Sequence, residues 1–159
     1  MSYDSTTPDT AAGFAGRTPS EESADGLRTL LKREESYAIH ALINIAENPG
    51  TNKAEIAERL KIPPAFLAKV LRKLVNAGFI ESHMGRSGGV KLLVDLKDVS
   101  LLDIVEKVSG ALVLDTCQTK EFCATERRKG HCNLKVAWIN TTLGVHALFS
   151  RVKLAELCD

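Results

Sequence analysis

The sequence predicts a mainly α-helical protein with one small β-hairpin, and three observations support this prediction. Apolar residues recur at helical spacing in four segments between residues 30 and 108. Two short runs typical of strands flank the glycine-rich sequence GRSGG at 85–89. A further helical pattern occupies residues 134–159. In this order, the elements predict a winged helix-turn-helix domain with a two-stranded wing, followed by a long C-terminal dimerisation helix.

Three helices are predicted before the hairpin. The first lies between Leu30 and Glu47, and the sequence Asn-Pro-Gly at 48–50 ends it. Thr51 and Asn52 both offer N-cap oxygens before a short second helix with the sequence AEIAERL. Because proline at the first turn of a helix costs no hydrogen bond, Pro64 can begin the third helix, which extends to about Ala77.

The hairpin and a fourth helix complete the predicted domain, which spans residues 27–110. The two strands are expected at 79–84 and 90–94, where glycines between them permit a tight turn. Ser100, with Asp103 three residues later, is typical of a capping box at the start of a helix. Together these elements are more specific than any one of them.

The third helix is predicted to have two different faces. Its apolar residues fall on one side, where they would enter a core: Leu67, Val70, Leu71 and Leu74. Outside this apolar side, the helix carries side chains able to contact bases, phosphates or a groove wall: Ala65, Lys69, Arg72, Lys73 and Asn76. These residue types fit a DNA recognition helix, although an ordinary amphipathic surface helix is the commoner interpretation of such a segment considered alone. At the wing tip, Arg86 and Ser87 are candidates for contacting a minor groove.

Charge is unevenly distributed, although the net charge is only +1. Residues 1–26 hold five acids, one arginine and no apolar run, which predicts a disordered acidic tail. Between Lys53 and Lys91 there are eight basic and three acidic residues, a net charge of +5. A local basic stripe is expected of a protein that binds nucleic acid, and a solvated lysine-rich surface is the alternative.

Composition and motifs narrow the class of protein further. An apolar content of 44% is enough to fill a core. No segment is typical of a signal peptide or a membrane span, so the expected location is the cytoplasm, with no membrane partner. The chain has no nucleotide-binding loop, catalytic triad pattern or paired-carboxylate motif, and we therefore expect no enzymatic activity.

Cys117, Cys123 and Cys132 lie in one short polar segment, CQTKEFCATERRKGHC. Three thiols on a polar loop suit a soft metal centre better than a hydrophobic core. In a reducing cytoplasm, cysteines are more often ligands or redox sensors than a disulfide framework. Residues 111–133, here called the sensor loop, are therefore predicted to carry a sensing function.

The last helix is a candidate for dimerisation. Apolar residues recur there at alternating spacings of four and three, with one threonine among them: Leu134, Trp138, Thr141, Val145, Leu148 and Val152. Such a seam packs well against a partner helix, although packing on the chain's own domain is the alternative. Helix-turn-helix proteins commonly read pseudo-palindromic sites as twofold dimers.

These parts, in this order, resemble the bacterial winged-helix regulators that include IscR and NsrR. The resemblance runs from about Leu30 to Leu157. It rests on several motifs: ESYAIHALINIA, AEIAERLKIPPAFLAKVLRKLVNAGFIES, GRSGGVKLL, VSLLDIVEKVSG and the three cysteines before a long helix. The resemblance implies a homodimeric transcription factor, usually a repressor, that binds an operator in double-stranded DNA. It also implies that the three cysteines hold an iron–sulfur cluster through which iron status, nitric oxide or redox stress is sensed.

The chain departs from the family pattern in three places. The cysteines are separated by five and then eight residues, where five and five is familiar. Lys135 stands where IscR-like proteins supply a histidine, and a lysine ammonium does not ligate iron. The wing has MGRSGG where the family commonly shows RGPGGG. Three cysteines with an open position favour a 4Fe-4S cluster over a 2Fe-2S cluster.

The remaining ligand and the identity of the metal stay open at the level of sequence. Glu35, His40 and His131 are candidates for a fourth ligand. A zinc site could use the cysteines with His131, although zinc motifs usually show tighter cysteine spacing. A metal-free thiol sensor is the other alternative, because the basic residues at 127–129 would favour thiolates nearby.

Overall fold

The computed structural model describes residues 29–83, 89–121 and 123–158. Two antiparallel strands and several helices make up this part of the chain. The helices are α1 (Arg33–Glu47), α2 (Lys53–Leu60), α3 (Pro64–Asn76), α4 (Leu101–Ser109), α5 (Ala124–Lys129) and α6 (Asn133–Arg151), and the strands are β1 (Ile80–Ser82) and β2 (Val90–Leu92). The predicted fold class, a mainly helical winged helix-turn-helix with a long C-terminal helix, is confirmed. The predicted acidic tail and the wing-tip candidates Arg86 and Ser87 lie outside the described residues.

Local sequence signals explain where the helices begin. The Asn52 side chain accepts hydrogen bonds from the backbone N–H groups of Ala54 and Glu55, as predicted for an N-cap. Ser100 accepts from the Asp103 N–H, and Asp103 accepts from the Ser100 N–H, which confirms the capping box of α4. Pro64 occupies the first turn of α3.

A single hydrophobic core holds the first four helices and the base of the wing together. Its largest fully buried side chains come from helices α1 to α4, from β1 and the bend before it, and from the C-terminal segment: Leu42, Ile56, Leu67, Leu71, Leu74, Phe79, Ile80, Ile104 and Leu154. Burial of this many apolar side chains is the main stabilising contribution to the domain.

The wing is attached to the core at its base. Ile80 pairs with Leu92 in antiparallel register, and the Val90 N–H donates to the Thr51 carbonyl oxygen at 2.9 Å. Gly89 lies so close to the α1–α2 turn that a Cβ there would come within 3.1 Å of the Gly50 carbonyl oxygen. Glycine is therefore favoured here, because a larger residue would make the neighbouring backbone shift by a few tenths of an ångström.

The C-terminal segment differs from the single helix expected over 134–159. Helix α6 ends at Arg151, and a 3₁₀ turn follows at Leu154–Leu157. Leu154 is fully buried in the core, and its N–H donates to the Val99 carbonyl oxygen at 2.9 Å. Anchoring of Leu154 to the core turns the chain away from the helix axis.

Candidate DNA interface and cysteine centre

Helix α3 presents the two faces that the sequence predicts. The four apolar residues named for its core side are all buried. Ala65, Lys69, Arg72 and Asn76 are exposed on the helix, and Lys73 is partly exposed. The exposed set combines a guanidinium, an amide, an ammonium and a small residue, which are suited to groove and phosphate contacts.

The two lysines of α3 are paired with a single carboxylate. Glu34, in the first turn of α1, forms ion pairs with Lys69 and Lys73, one through each carboxylate oxygen. Hydrogen bonds from Lys69 and then from Lys73 lower the pKa of Glu34 to about 2. The sequence analysis placed both lysines among the DNA contacts and did not identify Glu34, because 35 or more residues separate the partners in the chain.

Polar contacts fix the start of the sensor loop on α6. The Leu114 N–H donates to the hydroxyl oxygen of the buried Thr142 at 3.3 Å. His146 Nε2 donates to the Leu112 carbonyl oxygen at 2.7 Å. These contacts place the first half of the loop along the long helix, which packs against α4 and against the 3₁₀ turn that carries Cys117.

Cys117 is held by an aspartate that the sequence analysis missed. Asp115 caps the 3₁₀ turn Thr116–Thr119, and its carboxylate accepts a hydrogen bond from the Cys117 N–H at 2.7 Å. Burial, followed by the hydrogen bond and negative charge of Asp115, raises the pKa of the Cys117 thiol. An Asp two residues before the cysteine is the sequence signal for such a turn.

Cys123 and Cys132 lie at the starts of two helices. Cys123 immediately precedes α5, and Cys132 immediately precedes α6. Backbone hydrogen bonds from Glu126 and Thr125 lower the pKa of the Cys123 thiol, and a hydrogen bond with the Cys132 side chain lowers it further. The Cys123 thiolate is therefore favoured by its surroundings, in contrast to that of Cys117.

The three cysteines are half-buried and lie close enough together for electrostatic interaction between their side chains. None is in a disulfide, and charge on Cys123 and Cys132 contributes to the raised pKa of Cys117. Within the described ranges, no three His, Cys, Asp or Glu side chains converge tightly enough to hold a single metal ion. A tetrahedral zinc site needs four donors about 2.0–2.3 Å from one point, whereas the thiolates that hold a cluster are shared among several iron atoms.

The candidates for a fourth ligand have other partners or lie on the surface. Glu35 is buried, and its carboxylate accepts a hydrogen bond from the Lys32 N–H at 2.7 Å as part of the α1 cap. His40 is exposed, and its Nδ1 donates to the Ser36 carbonyl oxygen at 2.8 Å. His131 is exposed beside Cys132. The structure does not single out one of the three.

Lys135, which stands where IscR-like proteins supply a histidine, has a structural role. Its ammonium pairs with Glu126 at 2.9 Å and donates to the Lys120 carbonyl oxygen at 3.2 Å. Hydrogen bonding to Glu126 is the main cause of the raised pKa of Lys135. Lys135 therefore ties α6 to the loop segments on both sides of Cys123.

Helix α6 exposes several large apolar side chains. Its large exposed apolar side chains include the predicted seam residues Leu134 and Leu148 and three that the seam did not contain, Val136, Ile139 and Leu143. Trp138 and Val145, also predicted for the seam, are partly buried on the chain's own side. At about 100° per residue, Val136, Ile139 and Leu143 share one face of α6, whereas Leu134 and Leu148 lie on the opposite side. Exposed apolar side chains that share a helix face are typical of an interaction site.

The helix order, the polar face of α3 and the two-stranded wing define a winged helix-turn-helix DNA-binding protein. Among the described residues, no helix has the length and apolar character needed to cross a membrane. The chain belongs to the Rrf2 family, described as iron-dependent transcriptional regulators, whose family model matches residues 31–159. It is therefore a DNA-binding transcriptional regulator, and the resemblance to the IscR and NsrR regulators is confirmed.

A relative agrees with this assignment, and solved structures share the fold. The chain is 29% identical over 126 residues to the HTH-type transcriptional regulator NsrR of Bacillus subtilis, covering 76% of this chain and 84% of that protein. The fold is similar to T. potens IscR, with a TM-score of 0.64 at 21% identity over 84% of this chain and 88% of that one. It is also similar to CymR, the global cysteine regulator of B. subtilis, with a TM-score of 0.63 at 20% identity over 82% and 96% of the two chains.

Proposed function

We propose that the protein is a homodimeric transcriptional repressor whose affinity for a pseudo-palindromic operator is set by an iron–sulfur cluster on Cys117, Cys123 and Cys132. The observation that carries the proposal is the position of three mutually interacting, half-buried thiols in one loop between α4 and α6. Relatives named NsrR and IscR, and the description of the family as iron-dependent, add support. When bound, such a cluster supplies a centre that reacts with iron chelators, oxygen or nitric oxide.

The residues around the cysteines fit a thiolate-held group. Cys123 has N–H donors directed at its sulfur, and the Lys135 ammonium lies close enough for thiolates on Cys123 and Cys132 to raise its pKa further. These groups stabilise negative charge on sulfur, which a cluster requires because the thiolate is the ligand.

The sensor loop connects α4 of the DNA-binding domain to α6, the proposed dimer helix. A change in the conformation of the loop would therefore act on both. The loop begins where α4 ends, and Cys132 directly precedes α6. The exposed apolar residues of α6 support its assignment as the dimer helix. A change at the loop can therefore alter the spacing of the two α3 helices across a dimer, which is a coupling between two sites.

Metal analysis of the full chain tests the proposal. Protein purified without oxygen should contain iron and inorganic sulfide and should absorb visible light. Cys123→Ala should lose all three properties. Cys158→Ala is the matched control, because Cys158 follows the 3₁₀ turn at Leu154–Leu157, outside the sensor loop, and should keep them. A colourless wild-type protein without sulfide would overturn the proposal, and stoichiometric zinc in it would support the zinc site.

A thiol-redox regulator is a second candidate, favoured by the hydrogen bond between Cys123 and Cys132. A thiolate at Cys123 beside a second thiol is the arrangement in which a peroxide oxidises one sulfur to a sulfenic acid and the other displaces water to form a disulfide. This candidate predicts a metal-free protein in which peroxide forms a Cys123–Cys132 disulfide, detectable by mass spectrometry of peptides under non-reducing conditions.

A further inference from the structure

Glu34 places a negative charge against the surface that the proposed function assigns to DNA. Its carboxylate pairs with Lys69 and Lys73, which lie one helical turn apart on α3. Glu34 lies in the first turn of α1, where the helix dipole favours a negative charge. The carboxylate thus occupies the same donors that a DNA phosphate would use.

The two lysines are not equivalent. Lys73 is only 32% exposed in its side chain and also donates to the Val108 carbonyl oxygen at 3.1 Å, near the end of α4. Three elements, α1, α3 and α4, therefore meet at its ammonium. Lys69 is 59% exposed, and Glu34 is its described partner. Lys73 is fixed by the protein, whereas Lys69 can exchange its carboxylate for a phosphate.

We infer that Glu34 is a specificity-determining residue that suppresses binding to non-operator DNA by competing with phosphates for Lys69. Non-specific affinity comes from cations that neutralise phosphates, whereas an operator also gains contacts to bases. By pairing with Lys69, the Glu34 carboxylate reduces the contribution of phosphate neutralisation to DNA affinity. The contacts of Arg72 and Asn76 with bases stay intact. This inference rests on the proposed role of α3 in DNA binding.

The inference predicts a change in the salt dependence of non-specific binding. Glu34→Gln removes the charge and frees Lys69, so the slope of log affinity against log salt on a random-sequence duplex should steepen by about 1 per subunit. Affinity for that duplex should rise several-fold at low salt. Affinity for the operator, taken as the duplex that the wild-type protein enriches from a randomised pool, should rise less. The specificity ratio should therefore fall.

Two further variants separate the specific effect from a general change in charge. Glu58→Gln removes the same charge from an exposed site on α2, where no described ion pair involves the side chain, and should change the slope far less. In the double variant Glu34→Gln with Lys69→Ala, the steepened slope should return to the wild-type value. Circular dichroism and thermal melts of each variant check that the fold is intact.

The outcomes distinguish this inference from the assignment of the interface. If Glu34→Gln leaves the non-specific slope and affinity at wild-type values, the inference is wrong. It is equally wrong if the double variant keeps the steepened slope. Arg72→Ala, measured with the same duplexes, should weaken operator binding by about 1–3 kcal/mol if α3 reads bases. If Arg72→Ala binds the operator as tightly as the wild type, the assignment of α3 as the DNA-binding helix is wrong.

Discussion

The DNA-binding domain and the sensor loop are held together by different interactions. Helices α1 to α4 and the wing share one buried core, whereas no described residue between 111 and 132 is buried. The loop is positioned instead by polar contacts, including those of Asp115, Thr142 and Lys135. Apolar packing resists deformation, while a few hydrogen bonds without a surrounding core open at lower cost. The contrast indicates a rigid DNA-binding domain attached to a sensor loop whose conformation can depend on what its cysteines bind.

Paired truncations of leucine test this contrast most strongly. Leu42→Ala removes a fully buried side chain from the centre of the core and should lower the free energy of unfolding by about 2–5 kcal/mol. Leu112→Ala, in the half-buried start of the sensor loop, should lower it by about 1 kcal/mol or less. Urea unfolding monitored by circular dichroism measures both. Equal losses would mean that the loop is part of the core.

The exposed face of α6 gives the next largest expected effect. Leu143→Asp places a charge on the proposed dimer surface and should weaken dimerisation at least about tenfold, because each subunit loses an apolar contact in a symmetric interface. Leu93→Asp is the matched control, since Leu93 at the base of the wing is similarly exposed but lies away from α6. Sedimentation velocity over a range of concentrations reports the oligomer. If Leu143→Asp stays dimeric down to the same protein concentration as the wild type, the exposed face of α6 is not part of the dimer interface.

The smallest expected effect concerns the cap of α4. Ser100→Ala should lower the free energy of unfolding by about 1 kcal/mol at pH 7, whereas Ser150→Ala, at an exposed site on α6, should change it little. The hydrogen bond from Ser100 is the main cause of the lowered pKa of Asp103. A lowered carboxyl pKa contributes stability above the unfolded value, and that contribution is lost as pH falls through the folded value. The difference between wild type and Ser100→Ala should therefore shrink in urea melts repeated below pH 3.8.

Sequence predicted the elements whose signals are local. Asn52, Pro64 and the Ser100–Asp103 pair each act within one turn of helix, and each lies where the sequence placed it. The six-residue helix α5 was not predicted, because so short a segment shows no clear periodicity. The 3₁₀ turn after α6 was not predicted either, since it depends on burial of Leu154 against elements about 50 residues earlier in the chain.

The sequence predicted which cysteines form the candidate site, but not the contacts that surround them. The spacing of the cysteines drew attention to the sensor loop. The backbone N–H groups of Glu126 and Thr125, which lower the pKa of Cys123, depend on the local fold and have no signal in the sequence. Glu34 shows the same limit on the DNA-binding face, since its charge matters only because the fold brings α1 against α3. Pairing between distant charges depends on tertiary packing, which periodicity does not specify.

Operator affinity before and after removal of the cluster tests the central claim most directly. Full-length protein isolated without oxygen would be titrated with the selected operator duplex, then stripped of iron and sulfide by a chelator and titrated again, with Cys123→Ala treated in parallel. The account predicts that the two wild-type affinities differ at least about fivefold, as expected for a coupling of 1–3 kcal/mol. It also predicts that Cys123→Ala is unaffected by the treatment. Equal affinities of the two wild-type forms would contradict the account.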